Sequence, residues 1–413
     1  MKGALRVFAV LLTLMAFGCG FVGVAAGLNL TQPAAKGSTH IVQFQVVEND
    51  SASKIADRLQ KDGLIRNSLA FWLLAKYKKL DAHLQQGTYA LSPSMTMDDI
   101  VQTLLTGKIV QQRQVAINVP PGLRVTEYAA LFTQNNTLPN FDATAFLRIA
   151  TTGVEPDGTA LSKKFWYVEP KQPKVLYALE GYLYPVKDNY LANATAADVV
   201  ERLIADLGDT LCMGPDFAHR DAYIADEAQC KAHATMLTVG GKQVSIFTQM
   251  EKLFGTKDDA RALYDTLILA PLDEREARHA GPMAGVASVY YNRYLAAAGV
   301  RSGPDNGGPI TLDSDPTVQY AAGTAQNPWP KLNNSARLIA PQSPYNTYTH
   351  PGLPPGPIAA PGINQYGVDA ITNFLTAPTT TYYYFETDCT QGLIHYAHTL
   401  AEQQQNQVQY PPC

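Results

Sequence analysis

The stretch IVQFQVVENDSASKIADRLQKDG, residues 41–63, sets the fold class. Its first seven residues alternate apolar and polar side chains with the period of a half-buried strand. The polar break that follows offers Asp50 or Ser51 as an N-cap, after which Ile55 and Leu59 fall one helical turn apart and Gly63 stops the run. A strand and a helix in one short segment predict a mixed α+β chain. Working outward, Asn67 caps a second amphipathic helix carrying Leu69, Trp72 and Leu73. Thr96 caps a third, in which Asp98 and Asp99 suit the positive end of the helix dipole and Met97, Ile100, Val101, Leu104 and Leu105 form one apolar face before Gly107. QVAINV at 114–119 alternates again, and PPGLR at 120–124 marks the exit. Residues 41–119 thus read as a small α+β module and 120–413 as a larger α+β domain.

In that second part, helical periodicity covers Thr126 to Phe132, Ala197 to Leu207, Val244 to Leu269 and Ala284 to Ala297, between loops rich in Pro and Gly. Residues 214–242 interrupt the apolar pattern and read as a surface excursion. The whole chain has 413 residues with 30 glycines, 27 prolines and only 16% charged side chains, so its surface is rich in turns and neutral polar groups. A net charge of −4 without a block of like charges gives no footprint for nucleic acid.

Ahead of the module, residues 1–6 carry Lys2 and Arg6, and 7–28 run without a charge for about 22 residues, where about 20 span a bilayer's hydrocarbon. The flanking cations place a short cytoplasmic tip at the start and everything beyond a linker at 29–40 outside. A cleaved signal peptide is the competing reading, with Val24 to Gly27 as the cut, but its apolar region normally runs to only about 7–15 residues. Lipoprotein processing at Cys19 is disfavoured by the bulky Phe17. GCGFVG at 18–23 matches a dinucleotide-binding pattern by chance, since no strand precedes it. Gly23 and Gly27 would let two spans approach closely. Outside the span four cysteines remain, and nearness in sequence favours pairing Cys212 with Cys230 and Cys389 with Cys413.

The residues that carry chemistry are carboxylates among aromatic and polar neighbours. In YALEGYLYP, Glu180 sits between Tyr177, Leu179, Tyr182, Leu183 and Tyr184, surroundings that desolvate a carboxyl and keep it protonated, as a general acid needs. A glutamate in a turn that points to water is the plain alternative. LAPLDEREARHAGPMAGVASVYYNRY places Glu274 and Glu276 near a helix end, ahead of Asn292 and Arg293, where salt bridging is the plain reading. Asp315 and Thr317 follow in TLDSDPTVQY, and Asn346, Thr347 and Tyr348 in SPYNTYTHPGLPPGPIAAPG. Loops of this composition offer many hydrogen bonds to sugar hydroxyls, and their prolines fix them at low entropic cost. His395 and His398 have no third ligand at metal-binding spacing.

In order and content, ALEGYLYP, DEREA with VASVYYNR, LDSDPTVQY, YNTYTHPGLPPGPIAAPG, YYYFETD and IHYAHTLAEQ resemble the YceG-like endolytic murein transglycosylases, often called MltG, over roughly residues 41–413. The resemblance implies one N-terminal membrane span, a LysM-like module at 41–119 and a catalytic domain in the periplasm of a bacterium, held to its inner membrane. It implies cleavage within peptidoglycan glycan strands, between N-acetylmuramic acid and N-acetylglucosamine, leaving 1,6-anhydro ends. The expected partners are those strands, the membrane and peptidoglycan synthases, with no metal or organic cofactor. Glu180 falls on the family's catalytic glutamate, and Glu274 with Glu276 on its second acidic motif. Tyr182, Asn292, Asp315, Thr317, Asn346, Thr347 and Tyr348 are the further expected substrate contacts. The chain departs from the pattern at Pro271 and Asp273, where the family has a continuous, more apolar helix, in the longer LAAAGVRSGPDNGGPIT, and in VKDNY after Pro185. Two rival functions are a muramidase-type hydrolase using Glu274, Glu276 or Asp315 as second carboxylate, and a non-catalytic glycan-binding scaffold.

Overall fold

The computed structural model describes residues 31–34, 42–47, 50–80, 84–106, 114–134, 138–212, 226–277, 284–304, 310–332, 342–364, 367–388 and 390–410. The apolar run at 7–28 and Cys19, Cys389 and Cys413 lie outside them. No helix among the described residues is long and apolar enough to cross a membrane. The chain divides into two units, Met1–Gln112 and Arg113–Cys413.

In the first unit, β1 (Val42–Val46) pairs antiparallel with β2 (Gly87–Leu91), Val42 opposite Leu91. Between them come α1 (Ala52–Lys61) and α2 (Ser68–Tyr77), and α3 (Met97–Leu105) follows β2. Ser51 is the cap of α1, its hydroxyl accepting from the Lys54 amide. Asp50 instead accepts from the Val47 amide and pairs with Arg58. Asn67 caps α2, and Thr96 with Asp99 closes a reciprocal capping box on α3. Phe44, Ile55, Leu59, Phe71, Tyr89 and Ile100 meet in the core. On α2 the buried pair is Phe71 and Ala75, whereas Leu69 and Leu73 stand 62% and 55% exposed. Its sequence, SLAFWLLAKY, is apolar nearly all round, so periodicity alone does not single out the inward face.

The strand over QVAINV, β3 (Gln114–Asn118), pairs with β4 (Lys187–Leu191) and so falls in the second unit, not at the end of the first. Alternation announces a strand without naming its partner. Between these strands lie α4 (Val125–Thr133), α5 (Ala143–Thr152) and the short α6 (Leu161–Lys164). Then follow α7 (Ala196–Leu211), α8 (Glu227–Ala232) and the hairpin β5 (Met236–Val239) with β6 (Lys242–Ser245). The helix expected over Val244 to Leu269 is two helices, α9 (Ile246–Phe254) and α10 (Asp259–Glu276). Gly255, at φ +66°, ends the first in the left-handed region, and Asp258 caps the second. Despite Pro271, α10 runs unbroken to the DEREA motif.

The unit closes with α11 (Ala284–Ala297), α12 (Asp315–Ala322), α13 (Ala370–Thr376), the antiparallel pair β7 (Tyr384–Asp388) and β8 (Leu393–Ala397), and α14 (Leu400–Gln409). The long α10 is buried along most of its length and forms the axis of the core. The segment read as a surface excursion is only partly that. Cys230 on α8 is fully buried and bonded to Cys212 at the end of α7, with a Cα separation of 5.0 Å.

Candidate active site

Glu180 lies in a tight turn between Tyr177 and Leu183, its amide donating to the Tyr177 carbonyl. Gly181 follows at φ +85°, and a Cβ there would stand 2.7 Å from Pro357, so glycine is required twice over. The turn drives Glu180 inward, leaving it only 2% exposed. Its Oε1 accepts from the Val125 amide at 3.0 Å, the first amide of α4, and its Oε2 meets the Tyr320 hydroxyl at 3.0 Å. Burial pushes the carboxyl up to about 8, although Arg124, the Tyr320 hydroxyl and the Val125 amide act in the opposite direction, and nearby Glu127 adds to the rise. At neutral pH Glu180 is therefore a protonated acid held by two donors.

The aromatic enclosure is only in part the one the local sequence suggests: burial raises the pKa of the Tyr177 hydroxyl, and Tyr177 stands near enough for the Glu180 charge to raise it further. Tyr182 is buried, its hydroxyl accepting from the Glu169 amide and its ring stacked on Tyr264. Tyr184 bonds to Asp369. The ring against Glu180 is Tyr320, from 140 residues further along, with Tyr345 packed on it at 4.9 Å between centroids. Arg124 fixes Tyr320 from the other side, its guanidinium 4.2 Å from the ring centroid and donating to the Tyr320 carbonyl at 3.1 Å. It also donates to the Pro328 carbonyl at 2.6 Å, and Trp329 next to it gives its indole N–H to Glu127. Glu127 in turn accepts from the Arg124 amide at 3.0 Å. Arg275 lies over the Trp329 ring and donates to the Gly122 carbonyl. Neither Arg124 nor Val125 carries a motif, and PPGLR in the sequence marks only a turn.

Glu274 is buried and accepts from the Gly362 amide at 3.3 Å, which ties α10 to the IAAPG loop. Asp273 beside it is fully buried and accepts from Asn373 at 2.7 Å, joining α10 to α13. Glu276 faces a different space, a cavity of about 540 Å³ lined also by Tyr290, Arg293, Asp315, Tyr348 and Glu386. Its Oε1 accepts from Tyr290 at 2.9 Å and Ser314 at 3.3 Å. Burial raises its carboxyl to about 7, against the Tyr290 hydroxyl, and Asp315 raises it further. Tyr348 donates to Asp315 at 2.7 Å. Glu276, Asp315 and Tyr348 are thus brought together, and Glu180 is not part of that lining.

The remaining expected contacts serve inside the protein. Asn292 donates to the Thr380 and Tyr382 carbonyls, and Arg293 to Tyr383 and Asp313. Thr317 and Thr347 bond to each other at 2.8 Å, and Asn346 accepts from the Tyr348 amide. All four of Asn292, Thr317, Asn346 and Thr347 are buried. Thr317, Asn346 and Thr347 brace the loop that presents Tyr348, and Asn292 braces the segment at Thr380 to Tyr382.

The arrangement predicts a pH profile. The Tyr320 hydroxyl favours the charged form of Glu180, so Tyr320→Phe raises the acid's pKa further. The alkaline limb of kcat/KM should move upward by about one to two pH units, the worth of a hydrogen bond to a charged group at about 1.5–3 kcal/mol. Rates measured from pH 6 to 10 check it; an unmoved or lowered limb contradicts it.

Residues 44–409 match the model of the YceG-like family. A Bacillus subtilis protein named endolytic murein transglycosylase is 26% identical over 347 residues, 82% of this chain and 78% of the relative. A Streptococcus pneumoniae protein of the same name is 23% identical over 98% of this chain, which spans 64% of that relative's length. A crystal structure of a yceG-like protein from Listeria monocytogenes superposes with a TM-score of 0.48 at 22% identity, over 89% of this chain and 99% of that one.

Proposed function

The chain belongs to the YceG-like family, and from that membership we propose that it is an endolytic lytic transglycosylase of peptidoglycan. The observation that carries this reading is the buried carboxyl of Glu180, whose pKa burial raises to about 8, in an ALEGYLYP motif that resembles the family's. Glu180 donates its proton to the glycosidic oxygen between N-acetylmuramic acid and N-acetylglucosamine. The resulting carboxylate then takes the proton of the muramic C6 hydroxyl as that oxygen attacks C1, closing the 1,6-anhydro ring. Both steps are carboxyl chemistry, and the balance needs no water. Glycan takes the place of the Tyr320 hydroxyl at Oε2, while the Val125 amide remains the donor to Oε1. Glu276, Asp315 and Tyr348 are assigned to sugar contacts in their cavity, and Glu274 to holding the loop at Gly362.

The same proposal places residues 7–28 as a retained span in a bacterial inner membrane, the catalytic domain in the periplasm, and the first unit as a LysM-like module that binds or orients glycan. The pairing of Cys212 with Cys230 accords with an oxidising compartment. Endolysis has its own test. Uncrosslinked glycan strands digested by the purified chain should shorten through intermediate lengths, whereas release of terminal disaccharides from otherwise full-length strands overturns internal cutting.

A further inference from the structure

Helix α2 presents Leu69, Leu73 and Tyr77 on one face, 62%, 55% and 83% exposed. They are spaced four residues apart, and Trp72 and Lys76 lie on the same side, the Lys76 ammonium 4.5 Å from the Trp72 ring centroid. Lys78 and Lys79 follow directly at the helix end. Such a face, apolar and aromatic with a basic margin, suits the boundary between headgroups and acyl chains.

The chain's own path says what lies opposite. The Thr31 carbonyl, in the stretch read as a linker, accepts from the Met97 amide at 3.1 Å and so is fastened to the first turn of α3. Lys78, at the C-cap of α2, pairs with Asp98 in that same turn at 2.5 Å. The exposed face therefore ends beside the point where the chain arrives from residues 7–28. Two residues, Asn29 and Leu30, separate Leu28 from Thr31, and the three Cα-to-Cα steps reach at most about 11 Å when extended. A contact held so close to the bilayer has an effective concentration of roughly millimolar or more, enough to populate a weak association.

We propose that this face of α2 lies on the outer surface of the bilayer that the N-terminal segment enters, with Leu69, Leu73 and Tyr77 among the acyl-chain ends, the half-buried Trp72 at their margin and Lys76 and Lys79 against anionic phosphate. The inference rests on the proposed span. Membrane contact then fixes the first unit against the lipid, so that glycan reaches the enzyme close to the membrane surface.

The full chain in nanodiscs containing phosphatidylglycerol and a phospholipid with a photoactivatable acyl chain tests it. After irradiation, lipid adducts mapped by peptide mass spectrometry should fall on residues 68–79 at least about fivefold more often than on the exposed Gln60 and Lys61 of α1. Substitution of Leu69, Leu73 and Tyr77 by Gln should remove them, with hydrogen exchange of the rest of the unit unchanged. Adducts no denser on α2 than on α1, with the chain still held in the disc, overturn the docking and leave the span standing. So do crosslinks from α2 to a second copy in place of lipid. A chain that fails to enter the discs overturns both.

Discussion

Replacing Glu180 by Gln should lower turnover on peptidoglycan by about 10⁴-fold, the upper end of what general acid–base catalysis supplies, because the proposed mechanism gives one group both proton transfers. Glutamine keeps the size of the side chain and its carbonyl can still accept from the Val125 amide, while its amide faces the Tyr320 hydroxyl. Glycan affinity should therefore change little. The variant also has a stability signature that separates it from a misfolded protein. Burial holds the Glu180 pKa near 8, above its usual 4.5, so the folded state binds an extra proton across that window. Stability from this site is fully present below pH about 4.5 and falls progressively as pH rises to about 8, by at most about 5 kcal/mol. Glu180→Gln removes that loss. It should melt close to wild type at pH 5 and above it at pH 9. A variant that still releases anhydro-ended strands within about tenfold of wild type would remove Glu180 as the acid.

Loss of the Cys212–Cys230 bridge should cost about 3 kcal/mol of stability, the loop-closure value for a ring of roughly this size. The two cysteines are 18 residues apart in sequence and both buried, and they tie the end of α7 to α8, whose neighbouring hairpin packs Leu237 into the core. Cys212→Ala with Cys230→Ala, compared with wild type by urea unfolding followed on the second unit, measures it. A change below about 1 kcal/mol would mean that core packing alone fixes α8.

Much of the first unit was legible because its signals are local. Ser51, Asn67 and Thr96 each bond an amide three residues on, and the sequence states that geometry directly. The inward face of α2 was not legible, since Leu69 and Leu73 compete with Phe71 and Ala75 and only the surrounding elements decide. The pairing of β3 with β4 spans a long separation and leaves no mark in either strand. At the site, a desolvated Glu180 could be anticipated from its apolar turn, but its environment is made from afar. Tyr320, the Val125 amide and Arg124 come from other elements, and a backbone N–H has no sequence signature. Polar residues such as Asn292 and Thr347 looked like glycan contacts because composition cannot distinguish a side chain that meets a ligand from one that braces a loop.

The central claim is that the bond is cut without water. Digestion of purified glycan strands in water enriched in oxygen-18, followed by mass spectrometry of the new muramic ends, tests it most directly. A transglycosylase with Glu180 as acid and then base leaves 1,6-anhydro ends, one water lighter than a reducing end and free of the label. New reducing ends carrying oxygen-18 would contradict the account and make the enzyme a hydrolase, with a second carboxylate such as Glu276 placing the water.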